Sequence, residues 1–139
     1  MNRKDFIKAS CNFCLFGTAA MLLPNLTGCS SSYNVFSTEK KNNELQLPLS
    51  LFDKSPLQIV RVKGMNFDIA VQKKENDFTA LLLRCTHAEN EVLPDRNGYS
   101  CSLHGSRFNE SGKVIKGPAE TSLKKYKTTI SNNYLIITI

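Results

Sequence analysis

With 139 residues, 41% of them hydrophobic and 22% charged, the chain has material for one modest core and none for a second, catalytic domain. Its net charge is +6, but the basic residues are scattered, with a single cluster at Lys124, Lys125 and Lys127. A nucleic-acid surface carries more Lys and Arg together with stacking aromatics, so no nucleic acid is expected as a partner. The lysine cluster reads as a solvated strand face, or more weakly as a docking patch for an acidic partner or anionic lipid.

Residues 1–28 read as an export signal. Arg3, Lys4 and Lys8 make a basic start, residues 13–23 are apolar, and Leu26-Thr27-Gly28-Cys29 follows. Those last four residues resemble a lipobox, in which Cys29 is lipidated and becomes the first mature residue. A bacterial lipidated Cys carries at least two acyl chains by that analogy, and two chains anchor stably. Ser30 follows the Cys with no acidic run behind it, which favours a periplasm-facing leaflet. The chain is therefore expected to be exported and lipid-anchored to a bacterial membrane. The apolar stretch is about half the length that crosses a bilayer, and Pro24 interrupts it. Cys11 and Cys14 form a Cys-x-x-Cys, which inside a signal reads as small apolar residues rather than a redox or zinc pair. Residues 1–28 hold three basic residues and one acidic one, so the remainder carries +4.

Residues 29–44 form the lipidated Cys and a polar stretch without period, expected to be a flexible tether. The competing reading is a short extension packed on the domain. The domain itself is placed at 45–139 and reads as all-β. Residues 57–62 and 67–71 alternate apolar and polar, with Gly64 as a turn between them. Residues 73–77 make a charged turn, and the apolar run 78–83 leads into Cys85. Asn97-Gly98 is a hairpin signal, Ser111-Gly112 a turn, and Asn132-Asn133 joins strands at 126–130 and 134–139.

Two loops carry the chemistry. Cys85-Thr86-His87 and Cys101-Ser102-Leu103-His104-Gly105-Ser106 each offer one thiolate and one imidazole, and together they hold both histidines of the chain. A two-iron, two-sulfide cluster with two thiolates on one iron and two imidazoles on the other needs such a set. Zinc is the competing metal, although zinc sites usually pair Cys with Cys and His with His. Chance placement of four such residues in two turns is the third reading.

These motifs, with the later Gly117-Pro118-Ala119, resemble the Rieske iron–sulfur proteins over about residues 55 to 139. The resemblance implies a Rieske-type antiparallel sheet sandwich with a small cluster-binding subdomain. It implies a [2Fe-2S] cluster held by Cys85, His87, Cys101 and His104. Gly105, Ser106, Phe108, Gly117, Pro118 and Ala119 would surround it, the last three as a loop covering a third side. The Rieske proteins of quinol-oxidising complexes carry two further cysteines, forming a disulfide, where this chain has Asn90 and Leu103. They also carry a Tyr, bonded to a ligand sulfur, where this chain has Phe108. Ser106 is present and can donate to a bridging sulfide. Each such hydrogen bond favours the reduced cluster, so an intermediate potential is expected, below the top of a range of about −150 to +300 mV. Leu103, Phe108 and Leu93 are candidates to shield the cluster from water.

The implied function is one-electron transfer. Reduction adds a negative charge that favours protonation of the ligand histidines, so the potential should fall as pH rises. The 2-His-1-carboxylate iron of a Rieske oxygenase needs two histidines beyond the cluster's own, and the chain has none to give. The alternative is the small electron-transfer subunit of a larger periplasmic oxidoreductase; less favoured is a zinc-stabilised binding lipoprotein. The expected partners are a redox protein or an oxidoreductase large subunit, and the membrane through the lipid anchor. The stretch from Arg3 to Lys8 also resembles a twin-arginine signal, with Lys in place of the second Arg. Such a route accepts folded cargo, as export of a cluster assembled in the cytosol requires; the alternative is threaded export, with the cluster put in place after translocation.

Overall fold

The structure, a computed structural model, describes residues 33–139. The signal, Cys11, Cys14, Cys29 and the twin-arginine-like stretch lie outside the described residues. Eleven strands follow in chain order: β1 Val35–Thr38, β2 Glu44–Pro48, β3 Leu57–Val62, β4 Ile69–Lys74, β5 Asp77–Leu82, β6 Leu93–Asp95, β7 Gly98–Ser100, β8 Arg107–Phe108, β9 Val114–Lys116, β10 Lys125–Ser131 and β11 Tyr134–Thr138. A short 3-10 turn at Leu49–Phe52 follows β2. No described helix is long and apolar enough to cross a membrane.

Seven strands form one sheet in the order β1-β3-β4-β5-β10-β11-β2, and four form a second, β6-β7-β8-β9. The large sheet closes over itself because β10 serves two neighbours. Lys125 and Tyr126 pair with β5, whereas Lys127 to Ser131 pair with β11. Leu45 and Leu47 of β2 and Leu135 and Ile137 of β11 thereby join Val60, Val62, Ile69, Val71 and Leu82 in one core. The opposite faces of the central strands, through Ile59, Ala70, Leu81 and Leu83, pack on Val92, Tyr99, Phe108, Ala119 and Leu123. Strands β3, β4 and β5 are thus buried on both sides, which explains their near-continuous apolar runs. Truncating a residue such as Leu81 to Ala in this position costs about 2–5 kcal/mol.

One expectation needs correction. Residues 35–44 are not a free tether: β1 pairs with β3 from Val35↔Ile59 to Thr38↔Val62. Ahead of it, the Tyr33 hydroxyl donates to the Pro94 carbonyl at 3.1 Å. The β1·β3 pairing is parallel, while the other strand pairings described are antiparallel, as expected of a Rieske-type fold. The pairing runs through backbone groups, and of β1 only Phe36 packs against the core. A half-buried edge strand of this kind leaves no alternating signal in its side chains.

The Asn132-Asn133 hairpin falls on its predicted turn residues, and the other is shifted by one. Asn132 and Asn133 adopt φ of 47° and 65°, as a tight two-residue β turn demands. At Asn97-Gly98 the turn residues are Arg96 and Asn97, with Gly98 already in β7. Glycine is required there for a tertiary reason, because a Cβ would overlap the Phe108 carbonyl oxygen of β8.

Candidate metal centre

The two ligand loops share one backbone frame. In the first, the Cys85 N–H donates to the Asn90 carbonyl at 2.8 Å and the Glu89 N–H to the Cys85 carbonyl at 3.0 Å. In the second, Cys101 donates to Ser106 at 2.9 Å and Gly105 to Cys101 at 3.0 Å. Each is a six-residue span whose fifth member is left-handed, Glu89 at φ 51° and Gly105 at φ 78°. The first loop is continuous with β5, and beyond it the Val92 N–H returns to the Leu83 carbonyl at 3.1 Å. The second closes the turn between β7 and β8. Rigid strands therefore fix both ends of each loop.

The frames place the cysteines inward and the histidines outward. Cys85 and Cys101 are buried and free of any disulfide. His87 and His104 are exposed, with ring centroids 4.9 Å apart and planes at 82°. Burial pushes the Cys85 thiol up. The N–H groups of His87 and Ala88, the Cys101 thiol and the Ser106 hydroxyl more than offset this, so it lies below its ordinary value. The loop thus favours a thiolate, the form that binds metal. No three His, Cys, Asp or Glu side chains among the described residues converge on one cation position. The four donors form a buried sulfur pair and an exposed nitrogen pair, a division that suits two metal ions rather than one tetrahedral zinc.

A third segment ties the loops together. The Ala119 N–H donates to Ser106 Oγ at 3.0 Å, and Thr86 Oγ1 donates to the Thr121 carbonyl at 2.7 Å. Ser106 is fully buried; its oxygen accepts from Ala119, and its hydroxyl is among the groups that lower the Cys85 thiol. Ala119 is buried, while Gly117 and Pro118 are exposed. Phe108 is fully buried beneath the loops, paired across strands with Tyr99. Burial, and then the Glu110 charge, push the Tyr99 phenol up to about 12, so it stays neutral. Leu93 and Leu103 are about half exposed and belong to neither core, so of the three proposed shielding residues only Phe108 is inside. Lys124, Lys125 and Lys127 are exposed, and Lys124 lies 4.7 Å over the Tyr126 ring.

Three contacts were not read from the sequence. Nothing in the sequence gives Thr86 a role of its own. The backbone N–H groups at His87 and Ala88 carry no side-chain signal. Asn90 was noted only for what it is not, yet its amide Nδ2 lies 3.9 Å from Cys101 Sγ.

Residues 49–127 match the Rieske [2Fe-2S] domain family. Over 57 residues the chain is 39% identical to the cytochrome b6-f complex iron-sulfur subunit of Nostoc punctiforme, covering 39% of this chain and 31% of that protein. With the same subunit of Chlorobaculum thiosulfatiphilum it shares 36% over 72 residues, 50% of this chain and 39% of that one. The matched stretch spans well under half the length of these two relatives. The crystal structure of the cyanobacterial plasma membrane Rieske protein PetC3 from Synechocystis PCC 6803 superposes with a TM-score of 0.55 at 23% identity, over 66% of this chain and 95% of that one. That likeness shows the fold, a Rieske-type all-β arrangement.

Proposed function

The chain belongs to the Rieske [2Fe-2S] domain family, and from that premise we propose that it is a one-electron carrier whose cluster is held by Cys85, His87, Cys101 and His104. The observation that carries this reading is the pair of matching loops, which turn two thiols inward and two imidazoles outward. The donor set fits the family's cofactor: two sulfur and two nitrogen ligands, already in pairs. When bound, the cluster supplies a centre that takes up and returns one electron at a time.

The protein's own residues do the rest. Cys85 and Cys101 would ligate as thiolates from a water-poor interior. The N–H groups of His87 and Ala88 and the hydroxyl of Ser106 converge on Cys85 and offset negative charge there. His87 and His104 sit at the surface, where a partner can approach within electron-transfer distance. Loops fixed at both ends by strands resist rearrangement when the charge changes.

The same reading extends to location. Cys29 would be lipidated after removal of residues 1–28, placing the protein on a membrane facing the periplasm. The support is the basic start, the apolar stretch and the Leu26-Thr27-Gly28-Cys29 run. Tyr33, hydrogen-bonded to Pro94, follows Cys29 by four residues. At about 3.3–3.6 Å per residue the link reaches roughly 13 Å. The redox head would then work close to the membrane surface rather than range over it. A second reading, as the electron-transfer subunit of a larger oxidoreductase, is favoured by the relatives that are cytochrome b6-f subunits.

The test is an anaerobic reductive titration of the purified protein with metal analysis. Equal iron and sulfide with a Rieske-type paramagnetic signal on reduction is the expected result. Zinc without sulfide would sink the assignment. A stoichiometric large subunit in a pull-down would decide for the second reading over a free carrier.

A further inference from the structure

Asn90 touches both cysteine-bearing loops at once. Its backbone carbonyl accepts the Cys85 N–H at 2.8 Å. Its side-chain Nδ2 lies 3.3 Å from the Glu91 carbonyl and 3.9 Å from Cys101 Sγ, the latter within reach of an N–H···S bond. An amide nitrogen has two hydrogens, and here each has a partner. The orientation of the group is dictated by those partners. The Glu91 carbonyl can only accept, and so can a metal-bound thiolate, so the NH₂ end must face both.

Its place in the loop makes the contact durable. Asn90 is the last residue of the first frame, held by the Cys85 hydrogen bond and followed by the Arg84↔Glu91 bridge. Its side chain is partly buried rather than free in solvent. Cys101 thus receives a side-chain amide from the opposite loop.

We propose that Asn90 is a positioning and tuning residue for the cluster, cross-linking the two loops and donating an N–H···S hydrogen bond to the Cys101 thiolate. This rests on the assignment of Cys85 and Cys101 as ligands. A donor aimed at a ligand sulfur stabilises the more negative, reduced state, so it raises the midpoint potential. It also fixes the Cys101 side chain relative to the first loop without a covalent bond between them.

The experiment compares the full chain with Asn90→Leu, which keeps the branched shape and heavy-atom count of the side chain and removes the donor. Both are reconstituted anaerobically with iron and sulfide, and their midpoints are measured by reductive titration followed by electron paramagnetic resonance. The expected result is an intact Rieske-type signal in both proteins and a lower midpoint in Asn90→Leu. An unchanged midpoint with an intact signal overturns the proposal and leaves the cluster assignment standing. A wild-type protein that takes up no cluster overturns the assignment and this proposal with it. Should Asn90→Leu fail to hold a cluster, the wild type decides by itself. With asparagine labelled with ¹⁵N at the side-chain amide, the reduced cluster should show a coupled ¹⁵N in pulsed resonance spectra. Absence of that coupling overturns the proposal.

Discussion

The two ligand loops have the same backbone and opposite dependencies. Both close with a Cys N–H bonded to the carbonyl five residues on, and both turn through a left-handed fifth residue. The first rises from β5, a strand of the large sheet with cores on both faces. The second stands on β7 and β8, in a sheet of short strands. The first spends a glutamate on the left-handed position and the second a glycine. The histidine is the third residue of the first loop and the fourth of the second. A common frame therefore does not require a common sequence: hydrogen bonds between loop ends define it, and the ligands are hung on it at different places.

The largest break in the comparison is chemical. His87→Ala and His104→Ala should each abolish the Rieske-type signal, as should Cys85→Ala or Cys101→Ala, because neither loop alone offers more than two donors. Metal content and the reduced paramagnetic spectrum read this directly. A normal cluster in either histidine variant would show that the loops are not equivalent partners.

Next comes the footing of the second loop. Gly98→Ala puts a Cβ on the Phe108 carbonyl oxygen, so β7 and β8 must part, at a cost of about 3 kcal/mol. Hydrogen exchange should rise at β7 and β8 while the amides of β4 and β5 stay protected. Equal loss in both sheets would mean that the two loops share one cooperative support. Ser106→Ala acts between the loops. It orphans the Ala119 N–H and takes a hydroxyl from beside Cys85, costing about 1–3 kcal/mol in denaturant unfolding and lowering the midpoint potential.

The smallest effect discriminates most finely. Gly105→Ala meets no atom within 4 Å, so only its left-handed backbone at φ 78° resists, by about 1 kcal/mol. Glu89→Gly should run the other way, relieving a similar strain at φ 51° against the loss of an exposed ion pair with Arg84 worth about 0–1 kcal/mol. Opposite signs in paired denaturation curves would confirm that the frames are alike and the residues are not.

Some of this was legible in the residues themselves. Cys85, His87, Cys101 and His104 stood out because thiol and imidazole at short spacing have few other uses. The strands at 57–62 and 78–83 were visible because burial selects apolar side chains, and the hairpins because positive φ selects Asn and Gly. Ser106 was flagged, but its orientation was not, since the Ala119 N–H that sets it comes from a segment thirteen residues away.

Composition and spacing by themselves determined the all-β class, the candidate donors and the kinds of turn, since each depends on what a side chain is. Only the tertiary structure decided that residues 35–38 form a strand beside β3, that Gly98 answers to Phe108 and that Asn90 reaches Cys101. Those depend on backbone hydrogen bonds and on contacts between distant segments. Almost any residue can supply a backbone N–H or carbonyl, so such pairings leave no mark in the order of the residues.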